Sequence, residues 1–205
     1  GLVEFPDRSI GEHDLLDPEQ SRQILGDFCK SPQPEHELPV NGNIVRLFEE
    51  QVDIQGDALA VSHDGENLSY DALNAHANQL AHYLVAQGLS REDVVALCME
   101  NSTDTIVAML AVLKAGGCYL PMETDYPEER IAFLLGDANV SMVLSKRGSA
   151  GKFKDLKNPP SCLISIDQDW SEISAHPAQN LALDIDPEQL AYIIYTSGSS
   201  GEPKG

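Results

Sequence analysis

Positive charge is scarce in this chain. Lysine and arginine together number 13 against 33 aspartates and glutamates, for a net charge of −20. A nucleic-acid-binding surface is built from basic patches, so the composition argues against that partner. Long hydrophobic runs are missing as well. No stretch approaches the roughly 20 apolar residues that cross a bilayer. The opening residues Gly1-Leu-Val-Glu-Phe-Pro-Asp7 carry neither a basic leader nor a signal-type apolar core. A cytoplasmic location with no membrane partner is the resulting expectation. The four cysteines, Cys29, Cys98, Cys118 and Cys162, make no C-x-x-C pair, which argues against a disulfide framework. Cys98 and Cys118 lie inside apolar runs and suit buried small hydrophobes better than ligands or nucleophiles. His13, His36, His63, His76, His82 and His176 show no ligand spacing, so no metal cage is expected.

What is present is an ordinary globular alphabet, 42% hydrophobic over 205 residues, enough for one domain with a core or a domain plus a tail. Residues 1–40 are interrupted by Pro6, Pro18, Pro32, Pro34 and Pro39 and are rich in acids. Asp17 as N-cap with Pro18 at the first position predicts a helix over residues 17–28. Residues 31–39 read as a proline-stiffened connector. The segment 1–40 is therefore expected to be an interdomain linker, with a frayed terminus as the alternative.

From residue 41 the periodicity becomes regular. Ile44, Leu47, Phe48 and Val52 fall at helical spacing. Residues 58–61 read as a strand, Asp64-Gly65 as a hairpin turn, and Ser69 as the cap of a helix whose stripe is Tyr70, Leu73, Ala77, Leu80 and Leu84, ending near Gly88. Strands are expected at 94–99, 118–120, 140–144 and 162–166. A helix capped within 101–103 carries Ile106, Met109, Leu110 and Leu113, with Lys114 in its last turn and Gly116 beyond it. Pro127, Glu128 and Glu129 open another helix, with Ile131, Leu134 and Leu135 inward. Residues 146–157 read as a solvated loop, with a phosphate-binding patch as the alternative. An irregular connection through Trp170 and Pro187 completes the expected path. The β-α-β-α-β alternation predicts an α/β fold, a parallel sheet with helices on both faces.

The last eleven residues, Tyr195-Thr-Ser-Gly-Ser-Ser-Gly-Glu-Pro-Lys-Gly205, carry the chemistry. They follow an apolar run, residues 190–195 (Leu-Ala-Tyr-Ile-Ile-Tyr), that reads as a strand buried on both faces. Thr196, Ser197, Gly198, Ser199, Ser200 and Gly201 supply hydroxyls and backbone N–H groups with little bulk. Consecutive N–H groups in a tight turn suit anions, and Lys204 adds a mobile positive charge. The spacing differs from the Walker loop G-x-x-x-x-G-K-[ST]. Only two residues separate Gly198 from Gly201, Pro203 precedes the lysine, and Gly205 stands where the magnesium-binding hydroxyl would be. A flexible Ser/Gly linker is the bland alternative. Opposing the overall negative charge, such a site would depend on local donors, since exposed charges are screened beyond about 8 Å at physiological salt.

This eleven-residue run resembles the phosphate-binding signature of the adenylate-forming superfamily, which includes acyl-CoA ligases, luciferases and nonribosomal peptide synthetase adenylation domains. Leu68-Ser-Tyr70, Leu73, Asn74, Ala77, Asn78, Leu80 and Ala81 resemble its L-[ST]-Y-x-E-L-N-x-x-A-N-x-L-A pattern, with Ala72 replacing the glutamate. Residues 113–131 resemble L-K-A-G-x-x-Y-[VL]-P-[IL]-D-P-x-[YF]-P-x-x-R-[IL], departing at Glu123 and Thr124. Leu15, Leu16 and the following acidic helix are similar to the linker between a condensation and an adenylation domain. The resemblance implies that residues 41–205 are the front portion of an adenylation domain. It implies that Thr196, Ser197, Gly198, Ser199, Ser200, Gly201 and Lys204 hold the β- and γ-phosphates of ATP. It further implies Mg2+, an amino acid or other carboxylic acid as substrate, a phosphopantetheine-bearing carrier domain as acceptor and a condensation domain upstream. The adenine pocket, acid pocket, magnesium ligand and catalytic lysine would lie after residue 205, so these residues alone should not complete the reaction. A stand-alone acyl-CoA or aryl-acid ligase and a non-catalytic nucleotide-binding or scaffolding relic remain the alternatives.

Overall fold

The computed structural model describes residues 18–23, 42–154, 156–196 and 205. The chain divides into two compact units, Gly1–Val40 and Asn41–Gly205. In the first, α1 (Pro18–Gln23) is described, inside the helix expected over 17–28; Asp17, Cys29 and the proline-rich connector lie outside the described residues.

The second unit starts with α2 (Ile44–Gln55), where the Asn43 side chain accepts from the Arg46 amide. It buries Val45 and Val52 and half-buries Phe48, while Ile44 is 58% exposed. The expected stripe is thus rotated toward Val45. Strands β1 (Leu59–His63) and β2 (Glu66–Ser69) form an antiparallel hairpin. Its turn residues Asp64 and Gly65 both have positive φ, 48° and 85°, as a two-residue turn compatible with strand twist demands. Ser69 then caps α3 (Tyr70–Ala86), its hydroxyl accepting from the Ala72 amide at 3.2 Å. Leu80 and Leu84 of α3 are wholly buried, each contributing about 1.5–3 kcal/mol.

The remaining strands, β3 (Val94–Cys98), β4 (Cys118–Met122), β5 (Met142–Ser145) and β6 (Leu163–Ser165), form one parallel sheet in the order β4-β3-β5-β6. Its helices are α4 (Thr103–Lys114), α5 (Glu128–Asp137), α6 (Arg147–Lys154) and α7 (Ile166–Ile173). Side chains alternate across a strand, and β3 shows the consequence. Val95 and Leu97 join the core that holds Leu80 and Leu84 of α3, Val107 of α4 and Ile173 of α7. Ala96 and Cys98 join the core that holds Ile131 of α5 and Phe153 of α6. Helices cover both faces, as expected.

Three expectations are corrected. Residues 147–154 are helical rather than a loop, because Ser149, Phe153 and nearby Leu156 turn inward; the lysines between them masked that face. Residues 166–173 form α7, where a continuing strand and an irregular connection were expected; Ile166 and Ile173, seven apart, are its buried positions. In α4 Leu113 is buried as expected, but the rest of its apolar buried face is Val107, Ala108, Ala111 and Val112, while Ile106, Met109 and Leu110 are half-buried. Small residues win that face because α3 packs closely against it.

Candidate functional site

In open parallel sheets, ligands sit beyond the carboxyl ends of the strands. The route to that rim begins in residues 191–193. The Tyr119 amide donates to the Ala191 carbonyl at 3.1 Å and the Ile193 amide to the Tyr119 carbonyl at 3.0 Å. The resulting bridge between Tyr119 and Tyr192 is parallel, so the segment runs alongside β4 and in the same direction. It is not buried on both faces, as its apolar run suggested. Ile193 and Tyr195 pack on the α5 side, whereas Tyr192 is 54% and Ile194 55% exposed. The apolar pattern was compatible with two covered faces; the tertiary structure covers one.

Tyr195 is held firmly. Its hydroxyl donates to the Asp137 carboxylate at 2.5 Å, and its ring stands edge-on to Phe133, centroids 6.3 Å apart. Burial pushes the phenol up to about 12, and the hydrogen bond to Asp137 adds to the shift. Gly205 returns to the same place. A Cβ there would lie 2.8 Å from Cζ and 2.9 Å from Cε2 of the Tyr195 ring, and 3.0 Å from Cγ2 of Ile193. The two ends of the donor-rich run are therefore side by side. Thr196 is exposed at the start of that run. Ser197, Gly198, Ser199, Ser200, Gly201 and Lys204 lie outside the described residues. Asp137 was not singled out from sequence, yet a signal existed. An acid in the last turn of a helix opposes the helix dipole, which invites a search for a specific partner.

The sheet order reverses between β3 and β5. At their carboxyl ends a cavity of about 380 Å³ is lined by Glu100, Thr124, Lys146, Gly148, Ser149 and Lys152. Lys146 pairs with Asp104 at 2.6 Å, Lys152 donates to the Thr124 carbonyl, and Ser149 donates to the Cys98 carbonyl at 2.7 Å. These cations are engaged by protein groups, which weakens the alternative reading of residues 146–157 as a phosphate patch. A larger depression of about 580 Å³ lies at the end of α4, lined in part by Arg46, Glu49, Arg91, Lys114 and Asp186. That is the amino-terminal rim of the sheet, opposite the expected ligand side.

The other motif residues have structural tasks. Asn78 is wholly buried and donates to the Ala178 carbonyl at 2.8 Å and to Asn180 at 2.9 Å. Asn74 donates to Asn180 at 3.0 Å. His82 bonds the Gln179 carbonyl, and His76 and His176 stack edge-on with Trp170 and Tyr83. Together they lash α3 to residues 170–180. Lys114, 1% exposed, pairs with Glu49 and lies 5.8 Å from the Phe48 ring centroid. Burial pushes this ammonium below its ordinary value, against the pull of Glu49. Cys98 and Cys118 are buried and burial raises both thiols, so neither is a ready thiolate. Among the described residues no group of three or more His, Cys, Asp or Glu could hold a metal ion.

A parallel sheet with reversed strand order, extended by a segment parallel to β4, defines an α/β protein of the open-sheet type. Comparison makes the class specific: the chain belongs to the AMP-binding enzyme family, whose model matches residues 48–205. It is 40% identical over 207 residues to chondramide synthase cmdD of Chondromyces crocatus, an alignment spanning all of this chain and 5% of that protein. It is 36% identical to the dimodular nonribosomal peptide synthase of Bacillus subtilis, over 98% of this chain and 8% of the relative. The chain thus spans a small fraction of the curated relatives it matches. Among solved structures it resembles the nonribosomal peptide synthetase FmoA3 in its α-methyl-L-serine-AMP-bound form, with 30% identity, a TM-score of 0.72, and coverage of 82% of this chain and 18% of that one. A Mycobacterium tuberculosis fatty acyl CoA synthetase gives a TM-score of 0.72 at 25% identity, over 80% of this chain and 34% of that one.

Proposed function

We propose that residues 41–205 are the front part of an adenylation domain in a nonribosomal peptide synthetase. The domain would activate an amino acid as its acyl-AMP, release pyrophosphate, and pass the acyl group to the phosphopantetheine thiol of a carrier domain. The observation that carries this reading is the run 195–205 at the exit of a segment parallel to β4, in a chain whose relatives include peptide synthetases. A carboxylate is a poor electrophile because oxide would have to leave, and joining it to AMP supplies a better leaving group. The protein's contribution is positioning and charge stabilisation. Thr196, Ser197, Gly198, Ser199, Ser200 and Gly201 would donate to the β- and γ-phosphates, and Lys204 would neutralise the departing pyrophosphate. Charge-assisted hydrogen bonds of this type contribute about 1.5–3 kcal/mol each. Mg2+ would enter with the nucleotide, its protein ligand lying outside these residues.

Residues 1–40 would link this domain to a preceding condensation domain, in a cytoplasmic multidomain enzyme. The likeness to a fatty acyl CoA synthetase supports a second reading, a stand-alone ligase that transfers the acyl group to coenzyme A. Pyrophosphate–ATP exchange by the full-length protein tests both. Exchange driven by one or a few amino acids supports the synthetase, exchange driven by fatty or aryl acids supports the ligase, and absence of exchange with every acid supports a non-catalytic relic. In the active protein Lys204→Ala should slow exchange at least tenfold, equivalent to about 1.4 kcal/mol; an unchanged rate removes Lys204 from its role.

A further inference from the structure

The strand order reverses between β3 and β5, and an open sheet takes its ligands at the carboxyl side of such a point. The cavity of about 380 Å³ lies there, with Glu100, Thr124, Lys146, Gly148, Ser149 and Lys152 in its walls. Its two lysines differ. Lys146 is matched by the Asp104 carboxylate at 2.6 Å. Lys152 meets a neutral group, the Thr124 carbonyl, and among the described residues no carboxylate pairs with it. An ammonium carries three donors, so one carbonyl neither neutralises Lys152 nor exhausts it. Space for a ligand is present as well, because a Cβ on Gly148 would meet nothing within 4 Å. Buried Ser149 donates to the Cys98 carbonyl at 2.7 Å, which ties the first turn of α6 to β3 and gives the cavity a fixed floor.

Charge balance selects what such a cavity accepts. Lys146 is cancelled by Asp104, and Lys152 shares the cavity with Glu100, which forms no ion pair among the described residues. Unspent donors without net positive charge do not repay the desolvation of a multiply charged group. The same balance is what weakens a general phosphate patch over residues 146–157. A singly charged group with several acceptor oxygens is the better match.

We propose that this cavity is a subsite for the acyl acceptor, in which Lys152, assisted by Lys146, donates to the phosphodiester that joins a phosphopantetheine arm to its carrier serine. This rests on the reading of the chain as part of an enzyme that hands its acyl group to such an arm. The phosphates of a nucleotide carry several charges, whereas that diester carries one. Holding the arm by its phosphate end leaves the thiol free, so Lys152 binds the acceptor and takes no part in the bond-making step. Every residue of the subsite is among the described ones.

The test is calorimetric binding to the full-length protein near pH 7.5, with three probes. They are a serine peptide carrying the phosphopantetheine arm (a phosphodiester), free 4′-phosphopantetheine (a monoester, largely doubly charged at that pH) and pantetheine. The diester should bind at least tenfold tighter than pantetheine and at least threefold tighter than the monoester. Lys152→Gln should bring the diester and pantetheine within twofold of each other. Lys154→Gln removes the same charge from an exposed position of α6 and should leave the diester's advantage intact. Glu100→Gln removes the opposing acid and should tighten the monoester at least threefold. Equal binding of diester and pantetheine by the wild type overturns the subsite. So does an advantage that survives Lys152→Gln, one that falls equally in Lys154→Gln, or a monoester that binds more tightly than the diester. Pyrophosphate exchange separates the two levels. If the wild type exchanges none with any acid while a Lys152-dependent advantage persists, the functional reading fails and the phosphodiester site stands. Exchange without that advantage leaves the functional reading in place and removes the subsite.

Discussion

Glu49→Leu isolates what a partner is worth to a buried cation. Lys114 is 1% exposed and Glu49 23%, so removing the carboxylate leaves an ammonium among Phe48, Asn180 and the α2–α4 contact with little access to water. Breaking one side of a buried ion pair costs about 3–5 kcal/mol. For a domain of this size 1 kcal/mol shifts the melting temperature by about 2–4 °C, so the lower bound corresponds to roughly 6–12 °C. Lys114→Met removes the charge but keeps most of the volume, and Glu49 can then reach solvent; its cost should stay below about 1.5 kcal/mol. The double variant should match Lys114→Met, so the coupling equals the whole cost of Glu49→Leu, about 3 kcal/mol or more. The pH dependence has a definite sign. Burial already lowers the folded-state value of Lys114 below 10.5, and loss of Glu49 lowers it further. Above that lowered value the unfolded chain binds more protons than the folded one, so stability of Glu49→Leu should rise as pH increases toward 10.5. Chemical denaturation of the four proteins at pH 7 and pH 9.5 is the assay. Equal losses in Glu49→Leu and Lys114→Met, with no recovery at high pH, would show that packing rather than charge sets the cost.

Asn78→Ala should destabilise by about 1–3 kcal/mol, since it leaves the Ala178 carbonyl without its donor; proteolysis within residues 174–181 should quicken before global unfolding does. Gly116→Ala forces a side chain onto φ of 80°, at about 1–2 kcal/mol, read from the denaturation midpoint. Tyr195 yields a pH prediction of opposite sign to Lys114. Its folded-state value is raised from 10.0 to about 12, so its stabilising contribution is complete below pH 10 and disappears as pH rises to about 12. The stability difference between wild type and Tyr195→Phe should follow that window, and a difference that stays constant through it would show that the phenol is not held.

Much of this was legible in the chain. The Asp64-Gly65 turn, the Ser69 cap, the Gly116 stop and the parallel strands follow from local rules that do not depend on distant residues. Legibility failed where burial depended on a neighbour. The α6 lysines concealed the inward Phe153, and in the α4 stripe Ile106, Met109 and Leu110 were preferred to Val107, Ala108 and Ala111, which close packing against α3 selects. For the proposed site, residues 196–204 were singled out on residue type alone: hydroxyls, small residues and a lysine. Asp137 was not, because nothing local links it to a tyrosine 58 positions later.

By itself the sequence determined the class of fold, since periodicity and turn chemistry are local properties, and it supplied the run of small donors on which the proposed phosphate site rests. Only the tertiary structure decided which face of the terminal segment is covered, that Lys114 is a buried half of an ion pair, and that Tyr195 meets both Asp137 and Gly205. Those facts depend on contacts between residues far apart in the chain, and long-range contact is set by how the core packs rather than by any residue's own preference.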